Sequence, residues 1–568
     1  MAFTADGSRT APIAIVGGGP VGLVLALLLD RHRVRSVVFD VEDGPPRHPR
    51  GNTHNARTME HYRRLGIAGA IRQLGLPPDH PTDVAYFTRY GGFELARLPM
   101  PSERDKQRAV AAAARDDQVP EPLHRANQMY VERFLLDHVR TRPNITLRPG
   151  WRVTALDQDA GGVSVHAERV AGGARETWRA SYAAGCDGAQ SVVRRTAGIR
   201  YEGEGSIDQA ILGRRAAATH LRLPTLQRDF LEGRRAWTYW AVNRELVMTL
   251  ISLNGTDEFF LLTSSVDPDL LDTRALVRMV QSAAGAPIPV EVLGHRPWTP
   301  GAALVAERFA AGRTLLAGDA AHLFTPTGGF GMNTGLDDAA NLAWKLAAAV
   351  QGWGGPVLLD TYELERRPIA LRNTAAARQL NKNLGGIELP TELEERSPAG
   401  EEARRRVGAL LSTFGEQFAS IGVQLGARYD GSPIVVPDGQ PPPDSPVTYS
   451  PSGVPGGRAP HVWLDDWHGA GSSLFDRFGT GLTLLRLGPR PPAAEALAEA
   501  ARERGIALTT LQVADAAARD LYGRDLVLVR PDQHVAWRAE RPPADPGELL
   551  DHVTGARSPR VAAAPAGR

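Results

Sequence analysis

The sequence contains a single cysteine, Cys186, among its 568 residues. An intramolecular disulfide, a CxxC redox pair and a cysteine-rich zinc site all need at least two cysteines, so these features are excluded. One thiol is compatible with a reducing compartment, and we expect a cytoplasmic protein. Cys186 has no resolving partner, so we expect it to be a small buried residue rather than a redox centre.

An excess of either charge is also lacking, since 65 Lys and Arg face 64 Asp and Glu for a net charge of +1. We therefore expect neither a nucleic acid nor a membrane surface as the main partner. The long apolar run at residues 13–29 contains four glycines and a proline, and four charged or histidine residues follow at 30–33. This composition argues against a signal peptide or a membrane span.

A glycine-rich turn connects the first predicted strand to the first predicted helix. Residues 13–16 predict a buried strand, residues 23–29 a buried helix and residues 35–39 a second strand, with the spacing GxGxxG at residues 17–22. Asp40 ends the second strand, where its carboxylate is placed to accept hydrogen bonds from a ribose diol. This order of strand, turn, helix, strand and acid predicts a βαβ dinucleotide-binding unit.

Each residue type in the turn has a physical reason. Gly17 allows a tight turn, Gly19 lets a pyrophosphate approach the backbone, and Gly22 lets the helix pack closely on the strand. The helix begins near Pro20 and Val21, where free N–H groups and the positive end of the helix dipole favour phosphate.

The rest of the chain suggests several further units. Alternating residues at 83–99 predict two strands, and the polar residues 101–123 predict a mobile excursion or lid. Residues 200–297 alternate and are rich in aromatics, which predicts an antiparallel sheet. Residues 437–457 have the composition of a linker, and a small βαβ-like unit without cysteine follows it.

Two further motifs carry acidic residues beside glycine: Asp187 with Gly188, and Gly318 with Asp319. Together with the glycine turn and the stretch RTLLAGDAAHLFTPTGGFGMNTGLDDAANLAWKL at residues 313–346, they resemble the FAD-dependent aromatic hydroxylases. These are single-component flavoprotein monooxygenases with the p-hydroxybenzoate hydroxylase fold. The chain is also similar to the branch of phenol and polyketide hydroxylases that carries a C-terminal thioredoxin-like domain.

The resemblance implies an α/β fold with a Rossmann-like FAD-binding domain, an inserted antiparallel-sheet substrate domain and a C-terminal thioredoxin-like domain. The implied FAD-binding domain covers residues 1–80, 122–198 and 298–395. The substrate domain covers 81–121 and 199–297, a helical segment and linker cover 396–456, and the thioredoxin-like domain without redox cysteines covers 457–555.

The resemblance also implies which residues contact the cofactor. Beyond the glycine turn and Asp40, the implied FAD-binding residues are Arg50, Gln128, Asp187, Arg194, Asp319, Pro326, Gly329, Gly331, Met332 and Asn333. The N-terminus of a helix predicted at residues 333–350 would offer N–H donors to the flavin edge that gains negative charge on reduction. His322 has no partner at metal-ligand spacing, so we expect it to support this site structurally and expect no metal.

The group that would deprotonate a phenolic substrate is less defined. Asn52 matches a position where some phenol hydroxylases carry an ionisable residue, although an amide cannot act as a base. His54, Tyr239 and Arg214 are further candidates, and the backbone of Pro326 is expected beside flavin and substrate. The aromatic residues at 237–240 either line a flat pocket or form ordinary sheet core.

The expected activity is therefore an FAD- and NADPH-dependent monooxygenase, with NADH as a possible alternative reductant. By resemblance it would hydroxylate a phenolic or polycyclic aromatic substrate with O2 through a flavin C4a-hydroperoxide, in secondary metabolism or aromatic degradation. A Baeyer–Villiger or epoxidising oxygenase and a non-oxygenating flavin reductase are the alternatives. A homodimer is left open.

Overall fold

The computed structural model describes residues 2–3, 9–205, 215–264, 267–298, 303–383, 388–418, 420–464 and 472–557. Within these ranges, none of the helices has both the length and the apolar character needed to cross a membrane.

The strands and helices alternate through the first part of the chain and again near its end. The strands are β1 Ala2–Phe3, β2 Arg9–Val16, β3 Ser36–Asp40, β4 Thr53–His54, β5 Val84–Phe87, β6 Glu94–Leu98, β7 His124–Arg125, β8 Ile145–Pro149, β9 Trp151–Asp159, β10 Gly162–Arg169, β11 Arg175–Gly185, β12 Tyr201–Glu204, β13 Ala216–Arg222, β14 Thr238–Val242, β15 Val247–Ser252, β16 Glu258–Thr263, β17 Glu291–Trp298, β18 Ala303–Ala306, β19 Ala310–Ala311, β20 Thr314–Leu316, β21 His322–Leu323, β22 Leu482–Leu487, β23 Leu508–Val513, β24 Leu526–Val529 and β25 Val535–Ala539. The α-helices are α1 Pro20–Arg31, α2 Ala56–Arg64, α3 Ala68–Ile71, α4 Glu103–Ala111, α5 Gln128–Arg140, α6 Val192–Thr196, α7 Leu226–Asp229, α8 Thr273–Ala284, α9 Phe330–Gln351, α10 Asp360–Asn383, α11 Pro398–Ser412, α12 Ile421–Leu425, α13 Glu495–Glu503, α14 Ala516–Tyr522 and α15 Pro546–Val553.

The first sheet has the order β19-β20-β11-β2-β3-β8, and its central pairs, β20 with β11, β11 with β2, β2 with β3 and β3 with β8, are parallel. Ile13, Ala14 and Ile15 of β2 are fully buried, as expected for a strand covered on both faces. Helix α1 packs against α9 and α5. This is the predicted βαβ unit, and it places the glycine turn at the carboxyl end of β2, where such sheets bind ligands.

The second sheet has the order β17-β13-β16-β15-β14-β5-β6. Its pairs are antiparallel except β5 with β14, because β5 and β6 come from a distant earlier segment of the chain. One face packs on α8 through Leu276 and Val280. The other face packs with α11 and with Met129 of α5, on the side of the first domain.

The C-terminal sheet has the order β23-β22-β24-β25 and carries its helices on both faces. Helices α13 and α15 cover one face, and α14 covers the other. The fold class predicted from the sequence is thus confirmed, including the thioredoxin-like unit.

Two sequence-based expectations differ from the structure. Residues 101–123 were predicted to be a mobile lid, but they contain the capped helix α4 and are anchored at both ends. Glu103 accepts from Arg72 at 2.7 Å, and the backbone of Arg115 accepts from the N–H of Trp463 at 2.8 Å. The polar side chains that suggested mobility are used in these contacts. Helix α9 begins at Phe330, three residues before the predicted start.

Candidate active site

The glycine turn brings α1 close to the neighbouring strand while leaving one position open. Gly17 has φ +107°, and a Cβ atom there would lie 2.3 Å from the carbonyl oxygen of Cys186. A Cβ atom on Gly22 would lie 2.0 Å from the carbonyl oxygen of Gly17. At Gly19, however, a Cβ atom would meet no heavy atom within 4 Å. Among the four glycines of this turn, Gly19 is therefore the one that borders open space in which a ligand can approach the backbone.

Two helix N-termini lack the features that normally satisfy them. Helix α1 begins after Gly19 and α9 begins after Gly329, and neither helix has a side-chain cap or an acidic residue in its first turn. The first N–H groups of such helices have no intrahelical partner and carry the positive end of the dipole. The first turn of α1 packs against the second turn of α9, because a Cβ atom on Gly335 would lie 2.8 Å from Cγ2 of Val21. This arrangement suits an elongated ligand with anionic groups.

Asp40 lies at the end of β3 beside the glycine turn. Its Oδ1 accepts from the N–H of Glu42 at 2.9 Å, and a Cβ atom on Gly18 would lie 2.3 Å from its Oδ2. Burial raises the pKa of the Asp40 carboxyl. The expected position of this acid next to the turn is confirmed.

Arg50 and Gln128 lie near each other at the entry to α5. The backbone N–H of Gln128 donates to the carbonyl of Gly51 at 2.7 Å, and its side-chain amide donates to Glu132. Arg50 is exposed and has no carboxylate within ion-pair distance among the described residues. Burial raises the pKa values of Glu132 and Asp319, and the positive charge of Arg50 offsets part of this rise. Arg50 is thus available for an anionic ligand.

The carboxylate of Asp187 in the DG motif is occupied by hydrogen bonds within the protein. Asp187 accepts from the hydroxyl of Ser191 and from the N–H of Val193 at 3.2 Å, so it fixes the start of α6. Arg194 donates to the carbonyl of Ala189 at 3.1 Å and to that of Ala320 at 3.4 Å. The arginine therefore braces the DG and GD turns against each other.

Asp319 of the GD turn is exposed to solvent, and desolvation by the protein atoms around its carboxyl raises the pKa of that group. The backbone carbonyl of Asp319 accepts from the hydroxyl of Tyr201, whose ring lies 3.7 Å from the guanidinium carbon of Arg194. An exposed carboxylate at this position is able to accept hydrogen bonds from a ligand's hydroxyl groups.

Asp338 and Arg366, which lie behind the GD turn, were not identified from the sequence. Asp338 accepts from Gly318 N–H at 3.1 Å, His322 Nε2 at 2.6 Å and Arg366 Nε at 2.8 Å. His322 thus lies behind the GD turn, hydrogen-bonded to Asp338, and no group of three metal-ligating side chains occurs among the residues that the structure describes. Two consecutive acids at 337–338 inside an otherwise apolar helix were the signal in the sequence for a buried, paired charge.

The side chain of Asn333 is fully used within the protein. Its Nδ2 donates to the carbonyls of Thr53 at 2.9 Å and Gly329 at 2.6 Å. Its Oδ1 accepts from Asn55 N–H at 2.9 Å and the Thr58 hydroxyl at 2.7 Å. A carboxamide has two donors and two acceptor lone pairs, so none is left for a flavin. The predicted side-chain contact is corrected to a structural role that ties α9 to β4 and α2.

The loop before α9 keeps its backbone accessible. The carbonyl of Pro326 accepts from Gly329 N–H at 3.1 Å. Gly328 and Gly329 have φ values of +82° and +66°, and Gly331 and Met332 are partly exposed in the first turn of α9. The loop thus leaves backbone groups partly exposed, while Phe330, Thr53 and Phe324 pack against Gly328, Gly329 and Gly331 respectively.

Tyr239 lies on the face of the second sheet that packs against α8. It is fully buried in the core against α8, where its hydroxyl accepts from Ala236 N–H at 2.7 Å. Trp237 lies in the cluster on the opposite face, and Trp240 stacks on Tyr86 at 6.1 Å on that same side. Because side chains alternate along a strand, neighbouring residues cannot share a face. The prediction that Tyr239 is a substrate base is therefore corrected.

The other base candidates are also weak. His54 is fully buried beside Tyr62, and burial lowers its pKa to about 3, so it is a poor acceptor for a phenol proton. Asn52 is held by Asn127, whose Nδ2 donates to its Oδ1 at 2.7 Å. Arg214 lies outside the described residues. Cys186 is half-buried rather than fully buried, and desolvation raises the pKa of its thiol.

The βαβ unit with its uncapped glycine turn defines a protein that binds a dinucleotide cofactor. Residues 10–377 match the family model described as an FAD binding domain, and residues 452–556 match that of the aromatic-ring hydroxylase C-terminal domain. The chain belongs to the FAD-dependent aromatic-ring hydroxylases and is an aromatic monooxygenase.

Three known proteins illustrate the similarity. The FAD-dependent monooxygenase apdD of Emericella nidulans is 32% identical over 93% of this chain and 87% of its own length. Tetracenomycin B2 monooxygenase-dioxygenase of Streptomyces olivaceus is 31% identical over 95% of this chain and 97% of its own. The structure of RebC with bound 7-carboxy-K252c matches with a TM-score of 0.85 and 35% identity, over 97% of this chain and 100% of that one.

Proposed function

We propose that this chain binds FAD across the two open helix N-termini and uses NAD(P)H and O2 to hydroxylate a phenolic or polycyclic aromatic substrate. The observation that carries the proposal is the open approach to Gly19 at the uncapped start of α1, next to the equally uncapped start of α9. The relatives named above support the substrate class. A cytoplasmic location and a homodimer stay predictions.

The residues divide into those that would contact FAD and those that position them. We assign the pyrophosphate to the backbone of residues 19–22 with Arg50, the adenosine ribose to Asp40, and the ribityl chain to Asp319. Gln128 and the backbones of Pro326, Gly329, Gly331 and Met332 would contact the remainder. Gly17, Asp187, Arg194 and Asn333 would act by positioning these groups.

FAD, when bound, supplies the redox and oxygen chemistry. The protein contributes orientation and electrostatics: the N-terminus of α9 would stabilise negative charge on the flavin edge. Trp237 and Trp240 lie on the sheet face that is turned toward the first domain, and they would offer a flat apolar wall to an aromatic ring.

Alanine substitutions in the glycine turn test the cofactor site. The backbone at Gly19, with φ −73° and ψ −177°, accepts alanine, and no protein atom opposes the new Cβ. We expect Gly19→Ala to leave apoprotein stability unchanged while weakening FAD affinity by at least about tenfold, or 1.4 kcal/mol. Gly22→Ala should instead destabilise the apoprotein, and Gly69→Ala, which also faces open space, is the matched control. Unchanged FAD affinity in Gly19→Ala would contradict this placement.

The reaction is tested by following NADPH and NADH oxidation and O2 consumption by the FAD-loaded protein with a panel of phenols and polycyclic aromatics. We expect at least one compound to stimulate O2 consumption and to yield a product heavier by one oxygen atom. Analysis of ring opening distinguishes hydroxylation from a Baeyer–Villiger product. Flavin reduction without any oxygenated product across the panel would favour the reductase alternative.

A further inference from the structure

Arg125 is a buried arginine without an acidic partner among the described residues. Its residue surface is 6% exposed, and its Nη1 donates to the hydroxyl of Thr53. The other polar contact is a weak one, from Nη2 to the sulfur of Met100 at 4.0 Å, and Nε has no hydrogen-bond partner. A guanidinium has five N–H donors, so most of the hydrogen-bonding capacity of Arg125 is unused.

Most other buried arginines among the described residues are paired with carboxylates, namely Arg57, Arg366, Arg458 and Arg530. The exception, Arg194, donates to two backbone carbonyls instead. Arg366 Nε lies 2.8 Å from Asp338, and its Nη1 lies 2.6 Å from Asp337. Burial without a compensating carboxylate lowers the pKa of Arg125 to about 9, so the group is still charged at neutral pH. An uncompensated buried charge is costly, and a protein that retains one generally uses it at a functional site.

The position of Arg125 connects the cofactor loop with the aromatic wall. Its partner Thr53 lies directly against Gly329, since a Cβ atom there would be 3.2 Å from Cβ of Thr53. On the other side, the guanidinium carbon lies 3.8 Å from the ring centroid of Trp237 and 5.8 Å from that of Phe418. An aromatic ligand lying on this wall would present a ring substituent to the guanidinium.

We propose that Arg125 is a substrate-binding residue that recognises an anionic oxygen, either a phenolate or a carboxylate, on the aromatic substrate. The inference rests on the proposed function and names the substrate feature that the site selects. It also explains why the candidate bases are weak: a fixed positive charge favours the ionised phenol without a nearby protein base. A charge-assisted hydrogen bond of this kind changes affinity by about tenfold to a hundredfold.

Binding of three naphthalene probes to the FAD-loaded protein tests the proposal. The probes are 3-hydroxy-2-naphthoate, 2-naphthol and the neutral 2-methoxynaphthalene, with binding followed through the flavin spectrum. We expect wild type to prefer at least one of the first two by at least about tenfold over the neutral probe. A preference for the naphthoate alone identifies a carboxylate site, whereas a naphtholate absorption band of bound 2-naphthol identifies a phenolate site.

Arg125→Met should remove the preference while keeping the affinity for the neutral probe, and Arg125→Lys should keep part of the preference. Arg404→Met is the matched control, because Arg404 stacks on Phe93 at the same 3.8 Å but bonds only to backbone carbonyls. Equal affinity of wild type for all three probes, or an equal loss for all three in Arg125→Met and Arg125→Lys, would overturn the proposal and leave the proposed function standing. No binding of any probe to wild type would count against both.

Discussion

Glu365 is the centre of a buried charge cluster that joins the cofactor-binding helices to the C-terminal domain. Its carboxylate accepts from Lys345 Nζ at 2.6 Å and from Arg530 Nη1 at 2.6 Å, and Arg530 also pairs with Asp532 at 2.6 Å. Burial opposes ionisation of Glu365, but Arg530 and Lys345 hold its pKa well below the usual range. With two cations and two anions, the cluster is neutral.

Replacing Glu365 with glutamine keeps the shape of the side chain but leaves one uncompensated positive charge. Breaking a buried ion pair from one side costs about 3–5 kcal/mol, and we expect a loss of unfolding free energy in this range at pH 7. The pKa of Lys345 is already lowered to about 8, mainly by burial, and it should fall further without Glu365. The folded variant then binds fewer protons than the unfolded chain, so its stability deficit should shrink as the pH rises toward 8.

Urea unfolding of FAD-saturated protein, followed by tryptophan fluorescence between pH 6 and 8, measures this loss. The double variant Glu365→Gln with Lys345→Met is neutral again and should recover about 2 kcal/mol or more. Glu402→Gln is the matched control, since its exposed pair with Arg405 is worth no more than about 1 kcal/mol. A loss below about 1 kcal/mol in Glu365→Gln, or a deficit that grows with pH, would refute the reasoning.

Two further variants or reactions test the corrected assignments. Tyr239→Phe removes a hydroxyl that accepts from Ala236 N–H and from Gln227. The variant should lose about 1–3 kcal/mol of unfolding free energy yet keep turnover within about twofold. A large loss of turnover at full FAD occupancy would show that Tyr239 takes part in the reaction. Desolvation raises the pKa of the Cys186 thiol, so little thiolate forms in the native protein. A disulfide reagent such as DTNB should therefore leave native protein unlabelled and titrate one thiol after denaturation. Rapid labelling of the native protein would contradict the raised pKa of this thiol.

The elements that follow from local patterns were predicted well from the sequence. The glycine turn, β3 and the acid at its end depend on contacts within about thirty residues, as does the GD turn with its following helix. The starts of helices are less exact, and α9 begins three residues early because Gly329, with φ +66°, ends the preceding loop.

The roles that depend on distant partners were not predictable. Alternation in β14 shows that Tyr239 and Trp240 point to opposite faces, but only the packing of α8 shows which face is covered. Similarly, Asn333 is adjacent to the cofactor loop in sequence, yet its four hydrogen bonds come from β4, α2 and the loop itself. Arg125 was not identified because nothing in its local sequence shows that it lacks a carboxylate.

The glycines of the cofactor motif illustrate how one sequence pattern serves two physical purposes. Gly17 and Gly22 are needed because protein atoms would lie 2.3 Å and 2.0 Å from any added carbon. Gly19 has no such neighbour, so nothing in the protein itself requires glycine there. A side chain at position 19 would therefore obstruct only a ligand, and the chemistry of the uncapped helix start beside it favours an anionic one. A parallel argument applies to Arg125: among the described residues no carboxylate balances its buried positive charge, which implies an anionic partner that arrives with the substrate.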